Sequence, residues 1–156
     1  MFFSQVDLTP GPGRGFNPDA WDGYPVNRDR IVAGLVNSPV RNAVVLTGDV
    51  HSHWAAEVRE RFDDPYSRAV ATELVATSIS SGGDGSDSRD EITAILPENP
   101  HIRYFNARRG YVRTRITTDE LRADFRVLPY VSRPGAPVAT AASFVVPDRV
   151  PTLNVM

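Results

Sequence analysis

The segment from Asn42 to Thr47 places the strongest constraint on how this chain can fold. It is short, apolar and rich in β-branched residues, and it lacks the alternation of a strand with one wet face. Such a run is typical of a strand buried on both faces in a layered α/β core. Just before it, residues 26–37 carry apolar side chains at helical spacing, with Pro25 at a first-turn position. A helix followed by a buried strand is the usual step of an α/β fold.

The remainder of the chain is mainly strand-like. Candidate strands cover residues 54–58, 69–79, 102–105, 110–116, 121–128 and 143–146, although residues 69–76 are also compatible with a helix. Residues 110–128 predict a hairpin with one buried face, because apolar and polar residues alternate along both arms. Two Gly-rich stretches, 9–25 and 80–90, predict loops, and Trp21 and Tyr24 indicate that the first loop packs onto the core. Residues 147–156 are expected to form a frayed tail.

Charge and cysteine content exclude several classes of function. The net charge is −2 and the 17 basic residues, all arginine, are scattered, so nothing favours binding to nucleic acid or to an anionic membrane. The absence of cysteine rules out disulfides, thiolate metal ligands and cysteine nucleophiles. No apolar run is long enough for a membrane helix, and the first residues do not resemble a signal peptide.

The segment TGDVHSHW, residues 47–54, carries the side chains best suited to chemistry. Asp49, His51 and His53 occupy alternate positions, and alternate side chains of an extended chain share one face. A converging carboxylate and two imidazoles would suit Zn, Fe or Mn. The segment also follows a predicted central strand, and the carboxyl ends of such strands are where α/β folds build their sites. The spacing alone also fits a surface loop with a capping aspartate and two solvated histidines, which is the commoner origin of such a pattern.

A second candidate is the pair Arg108 and Arg109, at the start of a predicted strand. The planar guanidinium donates two parallel hydrogen bonds to phosphate oxygens. A solvated arginine pair is the alternative. The Gly-rich run 78–83 could offer backbone N–H groups to an anion, or could be a plain flexible loop. His101 is isolated in the sequence and is expected to be solvated.

Five segments occur along the chain in a specific order. They are WDGYP at 21–25, VVLTGDVHSHWA at 44–55, TSISSGG at 77–83, ARRGYVR at 107–113 and ADFRVLPYVSRPGAPV at 123–138. Their order and spacing resemble the C-terminal part of PhoD-like alkaline phosphatases. The resemblance extends from near the first residue to about Phe144.

This resemblance implies an α/β (α+β) fold. It would be a partial metallophosphoesterase-like sandwich of two sheets, with a flanking helix and a strand-rich C-terminal half, forming one domain over residues 1–146. Members of the family are generally exported and hydrolyse phosphate esters with a metal cluster that contains iron and calcium. In the wider fold a late GHxH motif supplies metal ligands, and GDVH occupies its place here. Asp49 and His51 are therefore implied metal ligands, His53 is a weaker candidate, and Arg109 is implied to lie near the substrate phosphate.

The same resemblance implies that much of the family's site is supplied from elsewhere. The early motifs that carry its other aspartates, an asparagine and a histidine are absent from these 156 residues. A two-metal centre needs more ligands than Asp49, His51 and His53 can provide. The chain is therefore expected to be a C-terminal fragment of a metal-dependent phosphomonoesterase or phosphodiesterase, inactive by itself. Two alternatives are half of a split enzyme, completed by an N-terminal half, and a non-catalytic remnant that serves as a β-rich interaction module.

Overall fold

The computed structural model describes residues 15–64 and 66–156, which form eight strands and two α-helices. The helices are α1, Pro25–Asn37, and α2, Asp90–Ile95, with short 3₁₀ turns at Trp21–Gly23 and Leu96–Glu98. The strands are β1, Ala43–Thr47; β2, His53–Arg59; β3, Ala69–Val75; β4, Ile102–Asn106; β5, Arg109–Ile116; β6, Glu120–Leu128; β7, Ala139–Pro147; and β8, Asn154–Val155. Neither α-helix is long and apolar enough to cross a bilayer, within the part of the chain just given.

The strands form two four-stranded sheets that pack face to face. The first sheet has the order β1-β3-β2-β4, in which β1 and β3 are parallel and the other pairs antiparallel. The second sheet, β5-β6-β7-β8, is antiparallel throughout. The core between the sheets combines residues of both, namely Ala55, Leu74, Leu121, Ala123, Phe125, Phe144, Val146 and Leu153. The expected two-sheet α/β class is confirmed.

Both helices cover the outer face of the first sheet. Helix α1 begins at Pro25, as its sequence predicts, and buries Val32 against β2 and β3. Helix α2 buries Ile95 against Trp54 and Val75. The side chains of β1 alternate between the two faces of the first sheet. Val45 faces α1, whereas Val44 faces the core between the sheets.

Several boundaries differ from the sequence-based predictions. Residues 69–75 are strand, so the helical alternative is wrong, and β7 is longer than the predicted 143–146. Helix α2 was not predicted, because six residues in a polar context carry too little periodic signal.

His101 is buried, not solvated, and its carbonyl accepts a hydrogen bond from Glu57 N–H at 2.9 Å. The first predicted loop lies partly outside the described residues; its described part contains Trp21, which packs beside α1.

The segment expected to fray is ordered by tertiary contacts. Strand β8 pairs with β7, and Leu153 is only 2% exposed in the core between the sheets. The Leu153 N–H also donates to the buried Glu57 carboxylate at 3.2 Å. The apolar residues of this segment, Val150, Leu153, Val155 and Met156, follow no regular period from which the docking of Leu153 could be predicted.

Strand β1 is less buried than its sequence predicts. It is an edge strand of the first sheet, and no strand of the described residues pairs with its other side. Leu46 is 69% exposed, although its ladder neighbour Leu74 on β3 is only 2% exposed. The prediction of burial on both faces is therefore wrong for Leu46 in this chain. Strand β1 therefore has the composition of a central strand but lies at the edge of the sheet.

Candidate functional site

The predicted ligand segment leaves the first sheet where its two parallel strands end. The carbonyl of Thr47, the last residue of β1, accepts a hydrogen bond from Ala76 N–H at 2.8 Å, just past the end of β3. Two irregular segments leave this edge together, residues 48–52 and residues 76–85. The carboxyl ends of parallel strands are where α/β folds place ligands.

The turn formed by residues 48–52 is held in an unusual backbone conformation. Asp49 and His51 both have positive φ, 80° and 53°, which side-chain-bearing residues rarely adopt. Val50 between them packs partly into the cluster beneath α2, whereas Asp49 and His51 are exposed. The premise of an extended chain with one shared face is therefore wrong. Asp49 and His51 instead lie in one turn, which is anchored by the packing of Val50.

His53 differs from the other two predicted ligands in its burial. It begins β2 and is 0% exposed in the space between the sheets, where the edge of its ring contacts Phe125 at a centroid distance of 5.3 Å. Its Nδ1 accepts a hydrogen bond from Thr77 N–H at 3.3 Å. Burial lowers the pKa of His53 to about 4, and nearby carbonyls of Val75 and Arg126 only partly oppose this effect. Burial therefore favours the neutral form of the His53 ring in the core between the sheets.

Arg109 is the structural centre of the second irregular segment. It is 1% exposed, and its Nη1 donates to Ser78 Oγ and to the Ser81 carbonyl, each at 2.8 Å. Its Nη2 donates to the carbonyl of Ala107. Burial lowers the pKa of the guanidinium, and the charge of Arg89 adds to the effect. Nη1 of Arg109 thus binds the Gly-rich run 78–83, for which the sequence left open an anion-binding loop or a plain flexible loop, whereas Nε of Arg109 is buried and has no hydrogen-bond partner among the described residues.

The loop packs so closely on Arg109 that glycine is required at one position. Gly85 has φ +72°, and a methyl group there would overlap the Ala107 carbonyl and approach Arg109 Nη2. Gly83 has the same φ, but a methyl group there would meet nothing within 4 Å. The sequence shows a Gly-rich run; only the fold distinguishes these two glycines.

Two aspartates without a predicted role, Asp84 and Asp87, tie this loop to segments that flank strands of the second sheet. Asp84 accepts hydrogen bonds from the N–H groups of Val131 and Ser132 at 2.7 and 2.8 Å. Asp87 pairs with Arg108 at 2.5 Å, and this contact lowers the pKa of Asp87 to about 2. Aspartates in Gly- and Ser-rich stretches often accept hydrogen bonds from nearby backbone N–H groups. The residues that Asp84 caps lie more than 40 positions away in the sequence, so the sequence could not identify them.

The site has donor atoms of kinds that bind metal ions, but too few of them to hold an ion alone. A carboxylate and an imidazole suit iron, and carboxylate oxygen suits calcium. The residues that the structure describes contain no group of three or more His, Cys, Asp or Glu side chains that could hold a metal ion. Asp49 and His51 could therefore supply part of a coordination sphere.

Comparison with known proteins identifies the family of this chain. The model of the PhoD-like phosphatases matches residues 1–125. The chain belongs to this family. The PhoD-like chain is similar to alkaline phosphatase D of Bacillus subtilis (strain 168), with 43% identity over 145 residues, which is 93% of the chain and 25% of the relative.

A solved structure of PhoD shows the same fold. The match has a TM-score of 0.94 at 41% identity and covers the whole chain but 30% of the solved protein. The PhoD-like chain thus spans about a quarter of the length of its curated relative. The turn with Asp49 and His51 lies within the part that matches the family model.

Proposed function

We propose that this chain forms part of a phosphoric ester hydrolase, and that it contributes Asp49 and His51 to a metal centre. The other ligands would come from a region of the PhoD-like domain that the chain does not span. Family membership supports the reaction class. The observation that supports the residues is their shared positive φ in a turn at the carboxyl end of β1. Such strained positions cost about 1–3 kcal/mol each and cluster at functional sites.

Each group near the turn has a definite role in this proposal. Asp49 and His51 serve as ligands and not as the general base. The family resemblance names iron and calcium, and such ions, when bound, lower the pKa of a coordinated water toward neutral. Arg109 stays a predicted residue near the substrate phosphate, and its Nη1 and Nη2 hold the loop 78–85 in place through Ser78, Ser81 and Ala107. The backbone N–H groups of the loop are then the candidates for contact with a phosphate ester.

A chimera tests the catalytic proposal. The chain replaces the matching segment of the Bacillus subtilis relative, so that the remaining three quarters of that protein are present and covalently joined. We expect bound metal, measured by elemental analysis, and hydrolysis of a chromogenic phosphate ester. Loss of a group that only supports a metal ligand costs roughly 10- to 100-fold. Asp49→Asn and His51→Gln, which remove ligands, should therefore lower turnover by about 100-fold or more.

Exposed Asp119 in the β5–β6 turn provides the control, since Asp119→Asn should leave turnover unchanged. A chimera whose turnover and metal content survive both Asp49→Asn and His51→Gln would exclude these residues as ligands.

The second candidate function is a non-catalytic interaction module. The exposed apolar edge at β1 favours it. A folded chimera that binds no metal and hydrolyses no phosphate ester would support this candidate over the hydrolase.

A further inference from the structure

The irregular segment 76–85 is held from two sides, and one side is the second sheet. Arg109 and Gly110, at the start of β5, both bind Ser78. The Nη1 of Arg109 donates to the Ser78 hydroxyl at 2.8 Å, and the Gly110 N–H donates to the Ser78 carbonyl at 3.2 Å. These contacts fix the segment relative to β5. They do not fix it relative to the turn 48–52, which continues from the first sheet.

His53 supplies a side-chain attachment from the first sheet. Its Nδ1 accepts a hydrogen bond from the Thr77 N–H at 3.3 Å, where the segment begins. Thr77 is buried, and a buried N–H group requires an acceptor. The His53 ring is also buried and contacts Phe125 edge-on. This packing leaves the ring little freedom to turn Nδ1 away from Thr77.

His53 belongs to the same short stretch as the two proposed metal ligands. It begins β2 directly after the turn 48–52, two residues beyond His51 and four beyond Asp49. One stretch of chain therefore carries the proposed ligands and also binds the start of segment 76–85. The hydrogen bond between His53 and Thr77 thus relates the position of the turn to the position of the segment.

We infer that His53 is a positioning residue, which holds segment 76–85 at the distance from Asp49 and His51 that a bound phosphate ester must span. The inference rests on the proposed function, in which backbone N–H groups of the loop 78–85 contact the ester. His53 acts through Thr77 and does not contact the ester, because its ring is fully buried between the sheets. Loop contacts that hold the ester equally in the ground state and the transition state determine KM and leave kcat unchanged.

Three variants separate the hydrogen bond from the packing. His53→Leu removes the acceptor and leaves an apolar side chain in the core. His53→Asn keeps an acceptor, because the amide oxygen is as many bonds from the backbone as Nδ1 of histidine. His101→Leu is the matched control, since His101 is also a buried histidine and its carbonyl binds the Glu57 N–H, toward the other end of β2.

Amide hydrogen exchange in the chain itself tests the contact without any need for activity. The Ala76 N–H, which donates to the Thr47 carbonyl at 2.8 Å, is the internal reference, because global unfolding exposes both amides alike. We expect His53→Leu to raise the exchange rate of Thr77 relative to Ala76 about tenfold. His53→Asn and His101→Leu should keep this ratio within about twofold of the unmodified chain. An unchanged ratio in His53→Leu would overturn the inference.

Kinetics test the consequence for the ester. In the chimera with the Bacillus subtilis relative, His53→Leu should raise KM for a chromogenic phosphate ester about tenfold, with kcat within about threefold and metal content unchanged. His53→Asn should return KM to within about threefold of the unmodified chimera, and His101→Leu should leave it there. A KM that stays unchanged in His53→Leu, or that rises equally in His53→Asn, would refute the positioning role. Loss of metal in His53→Leu would refute it in favour of His53 as a third ligand.

The role of His53 and the proposed function fail separately. A chimera without metal and without hydrolysis, combined with faster Thr77 exchange in His53→Leu, would contradict the proposed function and leave the contact between His53 and segment 76–85 intact. An active chimera whose KM does not respond to His53→Leu would contradict only the role of His53.

Discussion

At the scale of single residues, the site depends on backbone positions that only the fold reveals. Asp49 and His51 were predicted as ligands from the GDVH run, but the reason that they share a turn is the positive φ of both and the anchoring of Val50. Arg109 was predicted near the substrate phosphate. Its guanidinium already donates hydrogen bonds to Ser78, Ser81 and Ala107, and the sequence gives no sign of these contacts. Residue types indicate chemistry; they do not indicate which groups are already paired.

Replacing glycines in the loop 78–85 tests the packing around Arg109. Gly83→Ala should destabilise the fold by about 1 kcal/mol, because its backbone is left-handed but its surroundings are open. Gly85→Ala should cost roughly 2 kcal/mol or more beyond that, because the same φ is combined with a clash against the Ala107 carbonyl. Urea unfolding of both variants measures the difference. Equal losses would show that the loop does not pack on Arg109 as described.

Asp124 contributes stability that depends on pH. Its carboxylate accepts hydrogen bonds from Ser143 at 2.6 Å and from Arg113 at 2.7 Å, and these contacts hold its pKa well below the usual range. A lowered folded-state pKa stabilises the fold above the unfolded value, about 3.9. The contribution is lost as the pH falls below that value toward the folded-state pKa.

We therefore expect Asp124→Asn to reduce the free energy of unfolding by about 1–3 kcal/mol at pH 7. The difference from the unmodified chain should narrow as the pH falls below about 4. Asp119→Asn, at an exposed turn, should change stability by less than about 0.5 kcal/mol at either pH. Urea titrations at pH 7 and pH 3 test this, and a difference that does not depend on pH would contradict the assigned ion pairs.

At the scale of elements, the sequence predicted most strands and the first helix. Periodicity located α1 and the β5–β6 hairpin because their patterns extend over many residues. It could not locate α2 or β8, which are short and are ordered by the buried residues Ile95 and Leu153. It also could not show that β1 stands at a sheet edge, since the composition of a strand does not report its neighbours.

A matched pair of leucines tests whether β1 is an open edge. Leu46 and Leu74 are neighbours in the parallel ladder, one exposed and one buried. Leu74→Ala should cost about 2–5 kcal/mol because it leaves a cavity between the sheets. Leu46→Ala should cost less than about 0.5 kcal/mol in the chain alone. A large loss for Leu46→Ala would mean that β1 is already covered.

At the scale of the whole molecule, the two sheets form a core, yet the described part of the chain exposes apolar side chains around one strand. Val44 and Val45 contribute to clusters on opposite faces of β1, while Leu46 and Ile116 remain exposed beside the grooves. Large exposed apolar patches mark interaction sites or reduce solubility. We therefore expect the isolated chain to be only marginally stable, with cooperative unfolding at low urea concentration. Added polypeptide that completes the domain should raise its stability.

In the proposed function, Asp49 and His51 are two ligands of a metal centre that other residues of a PhoD-like domain complete. The most direct test measures, in parallel, the metal content and phosphate ester hydrolysis of the isolated chain and of the chimera with the Bacillus subtilis relative. We expect neither stoichiometric metal nor turnover in the isolated chain, and both in the chimera. Tight, stoichiometric metal together with turnover in the isolated chain would contradict it.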